Sequence, residues 1–112
     1  MKHAITAAAL AAASLIMAPA ARAGTIFVQP NRAGGVIELT STACHQTDWK
    51  SAHQVIASGA SGHTTYGCWV FDSSSDMFRI RWDNAEWSNF QFGQFTVTEF
   101  GRQELSRYHT GN

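Results

Sequence analysis

Two cysteines, Cys44 and Cys68, constrain this chain more than any other feature, and what they do depends on where the chain resides. The N-terminus answers that question. Met1-Lys2-His3 is a short basic start, Ala4 to Met17 is an apolar run, and Ala21-Arg22-Ala23 fits the small-x-small pattern read by signal peptidase. Residues 1–23 are therefore expected to be a cleaved secretory signal, with Ala18-Pro19-Ala20 offering a second cut three residues earlier. The run is shorter than the roughly 20 residues a spanning helix needs and is mostly alanine, so no membrane anchor is expected after cleavage. Position 17 is Met and no cysteine lies near the cut, which excludes a lipoprotein signal. The expected location is periplasmic or secreted, in a bacterium. In such an oxidising space an even pair of cysteines reads as a disulfide. Cys44–Cys68 would close a loop of about 25 residues, worth roughly 3.5 kcal/mol in the chain-entropy account. That is a large share of the ~5 kcal/mol expected of a small domain. With no Cys-x-x-Cys present, a thioredoxin-like reading is excluded.

Removing 23 of 112 residues leaves 89, one small domain spanning 24–112. Apolar residues are 45% of the sequence and charged residues 14%, a folding composition rather than a disordered one. Lys2 and Arg22 fall in the leader, so the remaining balance is 6 basic against 8 acidic residues, or −2. Nucleic-acid binders need clustered basic residues, so no nucleic-acid partner is expected.

The residue pattern after the leader has a period of two. Thr25 to Gln29 is a short β-branched and aromatic run, halted by Pro30-Asn31 and Gly34-Gly35. Val36 to Ser41 alternates, with Ile37 and Leu39 on the apolar face of a half-buried strand. Thr65 to Phe71 is apolar on both faces, as in a central strand. Asp72 to Asp76 is a polar loop, and Met77 begins the next strand. The segment from His45 to Ser58 fits two patterns. Asp48 is placed to cap a helix carrying Trp49, Ala52 and Ile56 on one face, while His53, Val55 and Ala57 alternate toward the turn cluster Ser58 to Gly62. The strand is preferred. Gly101 to Asn112 is polar and is expected to be a frayed tail or a single helical turn.

One hairpin can be tested by register. Phe78, Ile80 and Trp82 face one way and Arg79 and Arg81 the other. A two-residue loop at Asn84-Ala85 would set Phe90 against Arg79 and Asp83 against Glu86, a like-charge pair. A three-residue loop, Asp83-Asn84-Ala85, instead pairs Phe78 with Phe90 and lays Arg81 over Trp87 on the outer face as a cation–π contact. It puts Ala85 at a position that favours glycine, at a cost on the order of 1 kcal/mol. Phe90 and Phe92 share a phase that Phe95 and Val97 do not, so a bulge or tight turn is expected at Gly93-Gln94. The fold class is therefore all-β: about six antiparallel strands closed as a small barrel or sandwich with one disulfide.

Three short motifs carry a resemblance. They are Asn31-x-Ala33-Gly34-Gly35-x-Ile37-x-Leu39-Thr40, then Gly67-Cys68-Trp69 followed by an Asp, then an alternating strand ending in Trp82-Asp83. Together they resemble small exported, often phage-associated bacterial proteins of uncharacterised function. The likeness spans most of the chain after the leader, although Asn84 stands where that family usually has Gly. It implies export, one bridge and a strand rather than a helix near His53, and it brings no activity.

Catalytic chemistry finds little purchase. His45, Asp48, His53, His63 and His109 offer zinc-type ligands, but their spacings match no metal motif, so no metal and no cofactor are expected. Ser73, Ser74 and Ser75 lack a Gly-x-Ser-x-Gly elbow, and 89 residues leave little scaffold for a nucleophile, a base and an oxyanion hole, or for paired carboxylates. The aromatics say more. Four tryptophans and seven phenylalanines serve first to fill a small core. Exposed tryptophan and arginine also mark contact surfaces, and Trp87, Arg81 and Trp69 are the candidate binding platform. The expected function is a non-catalytic binding module meeting an envelope protein or glycan. One specific form is an inhibitor of an envelope-directed enzyme such as a lysozyme. Small disulfide-bonded periplasmic barrels include such inhibitors, whose loop Ser58-Gly59-Ala60 with Tyr66 loosely resembles. The alternatives are a small envelope hydrolase or metal-dependent enzyme, and a structural component of a phage or the envelope.

Overall fold

The computed structural model describes residues 24–110, with side chains to residue 107; the expected signal at 1–23 lies outside them. Seven strands follow in order: β1 Thr25–Pro30, β2 Val36–Ala43, β3 His53–Ser58, β4 Thr64–Asp72, β5 Met77–Trp82, β6 Trp87–Gln91 and β7 Thr96–Val97. Every pairing is antiparallel, and the sheet order is β6-β5-β4-β3-β2-β1-β7. This order forces curvature. Laid flat, seven strands would hold β6 and β7 about 29 Å apart. The chain passes between them through residues 92–95 alone, a reach of at most about 17 Å. The sheet therefore rolls into a half-barrel. The passage is a 3-10 turn at Phe92–Gln94, in which Gln91 and Gln94 cap one another's backbones. It occupies the position where the strand phase slips. The seventh strand, only two residues long, is beyond the expected six because Thr96-Val97 is too short to show a period.

Rolling gathers the inward side chains into one core. Leu39, Val55, Phe78 and Ile80 are fully buried, with Phe27, Trp69 and Phe95 packed beside them. Phe78 is the hub, its ring 4.8 Å from Phe27 and 5.1 Å from Phe95. β2 departs from the half-buried expectation, since Glu38 and Thr40 are buried along with Ile37 and Leu39. Hydrogen bonds make this tolerable. Thr25 Oγ1 donates to Glu38 at 2.8 Å, and Thr40 Oγ1 donates to the Gln54 carbonyl at 2.9 Å.

The Asn31-x-Ala33-Gly34-Gly35 motif is a knot of main-chain bonds. Asn31 Oδ1 accepts from the Ala33 and Gly35 amides, both at 2.9 Å, and its Nδ2 donates to the Ser58 carbonyl at 2.8 Å. A Cβ on Gly35 would lie 1.7 Å from that same carbonyl oxygen, so only glycine fits. The motif thereby sews the β1–β2 turn to the end of β3. His53–Ser58 is a strand, as preferred, because it lies between β2 and β4 with Val55 facing Leu39 and Gly67.

The β5–β6 hairpin has the three-residue loop. Phe78 faces Phe90, Arg81 faces Trp87, and Ala85 adopts φ 73°. The tail expectation is corrected: residues Glu99–Thr110 form a helix, α1. Thr98 caps it, accepting from the Gly101 amide at 2.9 Å while bonding the Thr25 carbonyl. Gly101 lies directly on the Ile26 backbone and Leu105 packs on the core. A single leucine and a cap suffice to dock a segment whose composition reads as loose. No helix among the described residues is long and apolar enough to cross a membrane.

Candidate functional site

The disulfide organises the outer face of the sheet. Neighbouring residues of a strand point to opposite sides, so Trp69 enters the core while Cys68 faces out. Cys68 is bonded to Cys44 and fully buried, which places the molecule in an oxidising, extracellular-type compartment. The bridge pulls the 44–52 loop across β4 and β5, and that loop delivers His45, Gln46, Asp48 and Trp49 onto residues of the β5–β6 hairpin.

Arg81 is the centre of this arrangement. Its guanidinium lies 5.2 Å from the Trp49 ring and 5.9 Å from the Trp87 ring, and the two indoles are 5.4 Å apart at 56°. Arg79 adds a second cation 5.7 Å from Trp87. Hydrogen bonds fix the ladder. Arg81 donates to Asp48 at 2.6 Å and to Gln46 at 2.7 Å, and Gln46 Nε2 donates to Asp83 at 3.0 Å. His45 Nε2 lies 2.8 and 2.9 Å from the two Asp83 carboxylate oxygens, closing the tie between loop and hairpin. Arg81 is thus committed, whereas Arg79 has only Asp72 at 3.8 Å and keeps about half its side chain in water. Trp87 is 51% exposed. Beside the indoles His45, Gln46, Asp48, Trp82 and Asp83 line an open recess of about 450 Å³.

No family model, curated protein or solved structure matches the chain. The site must be read from its own geometry.

Of the candidate platform, Trp87 and Arg81 are together as the register required. Trp69 is not with them. It is buried at 7% exposure, its indole N–H donates to the Thr40 carbonyl at 3.0 Å, and its ring meets Phe27 and Phe78 edge-on. Trp49 takes its place. Sequence spacing could not reveal this, because Trp49 is 38 residues from Trp87 and arrives only through the disulfide-tethered loop. Arg79 was legible as an outward residue of β5 but not as a partner of Trp87, which is diagonal to it.

A second concavity opens into the half-barrel. Phe27, Trp69, Phe71, Phe78 and Phe92 line about 890 Å³ beneath Leu105 of α1. The remaining polar clusters have local partners. Ser74 donates to Asp72 through both its hydroxyl, at 2.6 Å, and its amide, at 3.0 Å, which is a turn-closing arrangement. Cys44, His45 and Cys68 bring ligand-type atoms within 4.8 Å, but both sulfurs are consumed by the bridge and have no thiolate to give a metal. Ser58 ends β3 and Gly59-Ala60 open the β3–β4 turn, and Tyr66 is 43% exposed on the same outer face as Arg81.

Proposed function

We propose that this chain is a non-catalytic binding module of the bacterial envelope, with Trp49, Trp87, Arg79 and Arg81 as its contact surface and an envelope-directed enzyme such as a lysozyme as its target. The observation that carries the reading is the half-exposed Trp87 indole held beside two guanidiniums on a face braced by a disulfide. Tryptophan and arginine dominate binding hot spots, and side chains already ordered lose less entropy on association. Arg79 has donors to spare for a carboxylate on the partner. The expected leader and the resemblance to small exported proteins support the compartment.

The test is a lysozyme assay on suspended cell walls with the purified oxidised protein added at micromolar levels. Lysis slows with the wild type, and Trp87→Ala and Arg79→Ala relieve the inhibition at least tenfold. Unimpeded lysis by every class of lysozyme ends the reading. The open recess beside the indoles, with Asp48 and Asp83 in its lining, supports a second target, a glycan whose ring stacks on tryptophan while its hydroxyls meet the two carboxylates. Co-sedimentation with peptidoglycan in the absence of any enzyme separates the two.

A further inference from the structure

The half-barrel is open along one line. Among the described residues β6 pairs with β5 alone and β7 with β1 alone, so each presents a free edge. β7 is blunted by its length of two residues. β6 is not blunted at all. Its five residues, Trp87-Ser88-Asn89-Phe90-Gln91, include no charge, no proline and no bulge, the usual devices that keep an edge from pairing.

Its free groups can be assigned. Trp82 N–H donates to the Glu86 carbonyl at one end of the β5–β6 ladder, and Phe92 N–H donates to the Asp76 carbonyl at the other. Antiparallel bonding alternates, so Ser88 and Phe90 exchange the bonds between these ends, and the main-chain groups of Trp87, Asn89 and Gln91 point away from the sheet. The Gln91 N–H is already taken by Gln94 Oε1 at 2.8 Å. The complete donor–acceptor pairs left at the edge are those of Trp87 and Asn89.

We propose that β6 is a dimerisation edge, through which two copies of this chain join by antiparallel pairing about a two-fold axis at Ser88. The free set is its own complement. Trp87 of one copy faces Asn89 of the other, and all four groups on each strand are satisfied. A longer foreign strand gains at most one further bond, to the Gln91 carbonyl, since the Gln91 N–H is capped at one end and the three-residue loop ends the strand at the other. The same register makes the two Trp87 side chains diagonal neighbours about 7–8 Å apart, within reach of two indoles. The most exposed large apolar side chain of the described residues thus becomes the one shared at the axis. β6 itself carries no charge, so no like-charged pair faces across the axis. The dimer doubles the Trp–Arg surface on one continuous face, which would make binding of a repetitive target bivalent.

The experiment is sedimentation equilibrium of the oxidised protein from about 10 to about 500 µM, the range in which a small two-strand interface is populated. The wild type moves toward twice the protomer mass, while Asn89→Pro and Asn89→Lys stay at the protomer mass with unchanged circular dichroism. The Asn89 N–H points outward, so proline removes an edge donor without removing a bond to β5, and lysine leaves the backbone intact while adding like charges across the axis. Amide exchange on the wild type needs no variant: Trp87 and Asn89 N–H become protected as concentration rises. A wild type at protomer mass throughout, or Asn89 variants that dimerise as tightly, overturns the proposal. An edge filled only by an extended segment of another protein would appear as the first of these. Neither result depends on lysozyme inhibition, so the two proposals stand or fall separately.

Discussion

Ala85 sits at φ 73° in the β5–β6 loop, a conformation that L-residues adopt at a cost of about 1–2 kcal/mol. Ala85→Gly is expected to stabilise the fold by about 0.5–1 kcal/mol after allowing for the entropy that glycine adds to the unfolded chain, as read from urea denaturation midpoints. A destabilised Ala85→Gly protein would show that the loop holds a different conformation in solution. Asp72 offers a second residue-scale test. The Ser74 hydroxyl, followed by Ser75 and the Ser74 amide, stabilises its carboxylate and lowers its pKa from the ordinary 3.8. A lowered folded pKa contributes stability that is present above the unfolded value and lost as pH falls through the folded one, so this turn loosens only below about pH 4. Ser74→Ala should move the carboxyl titration up toward 3.8 in an NMR pH series. An unmoved midpoint would mean that the hydroxyl does not hold the carboxylate.

At the scale of elements, the 44–52 loop is the part whose position matters most and whose length says least. It has no regular structure, and its placement rests on one covalent bond and on Arg81, Gln46 and Asp83. Replacing both cysteines with alanine should cost about 3.5 kcal/mol and release Trp49 from Arg81, seen as a change in near-ultraviolet circular dichroism. Retention of the near-ultraviolet signal would show that the polar contacts alone seat the loop. This division also explains what could be read in advance. The strands, the β5–β6 register and the pairing of Arg81 with Trp87 follow from period and turn chemistry, which act over a few residues. Trp49 joining Trp87, and Trp69 leaving the surface for the core, depend on contacts between distant segments and on which face of β4 turns inward. The pattern around Cys68-Trp69, apolar on both faces, does not identify that face. α1 is hidden from the sequence for a related reason. Its docking comes from Thr98, Gly101 and Leu105 meeting β1 and the core, not from a broad apolar stripe.

For the whole molecule, closure rests on a clasp of rings between the sheet edges. Phe95 lies 5.1 Å from Phe78 and 5.7 Å from Phe90, joining the passage between β6 and β7 to the core. Phe95→Ala should destabilise the protein by about 3 kcal/mol and widen the half-barrel, with faster amide exchange in β7 and β1 than in β3 and β4. Uniform loss of protection would show instead that the molecule opens as one unit. The pairing of Phe27 with Val97 has a temporal side as well. Neighbouring strands pair through short turns, but the first strand waits for the last one before its outer edge is covered. Until Thr96 and Val97 pair with β1, a folding chain carries an unguarded template for association, and this two-residue strand decides whether folding yields a finished molecule or a sticky one.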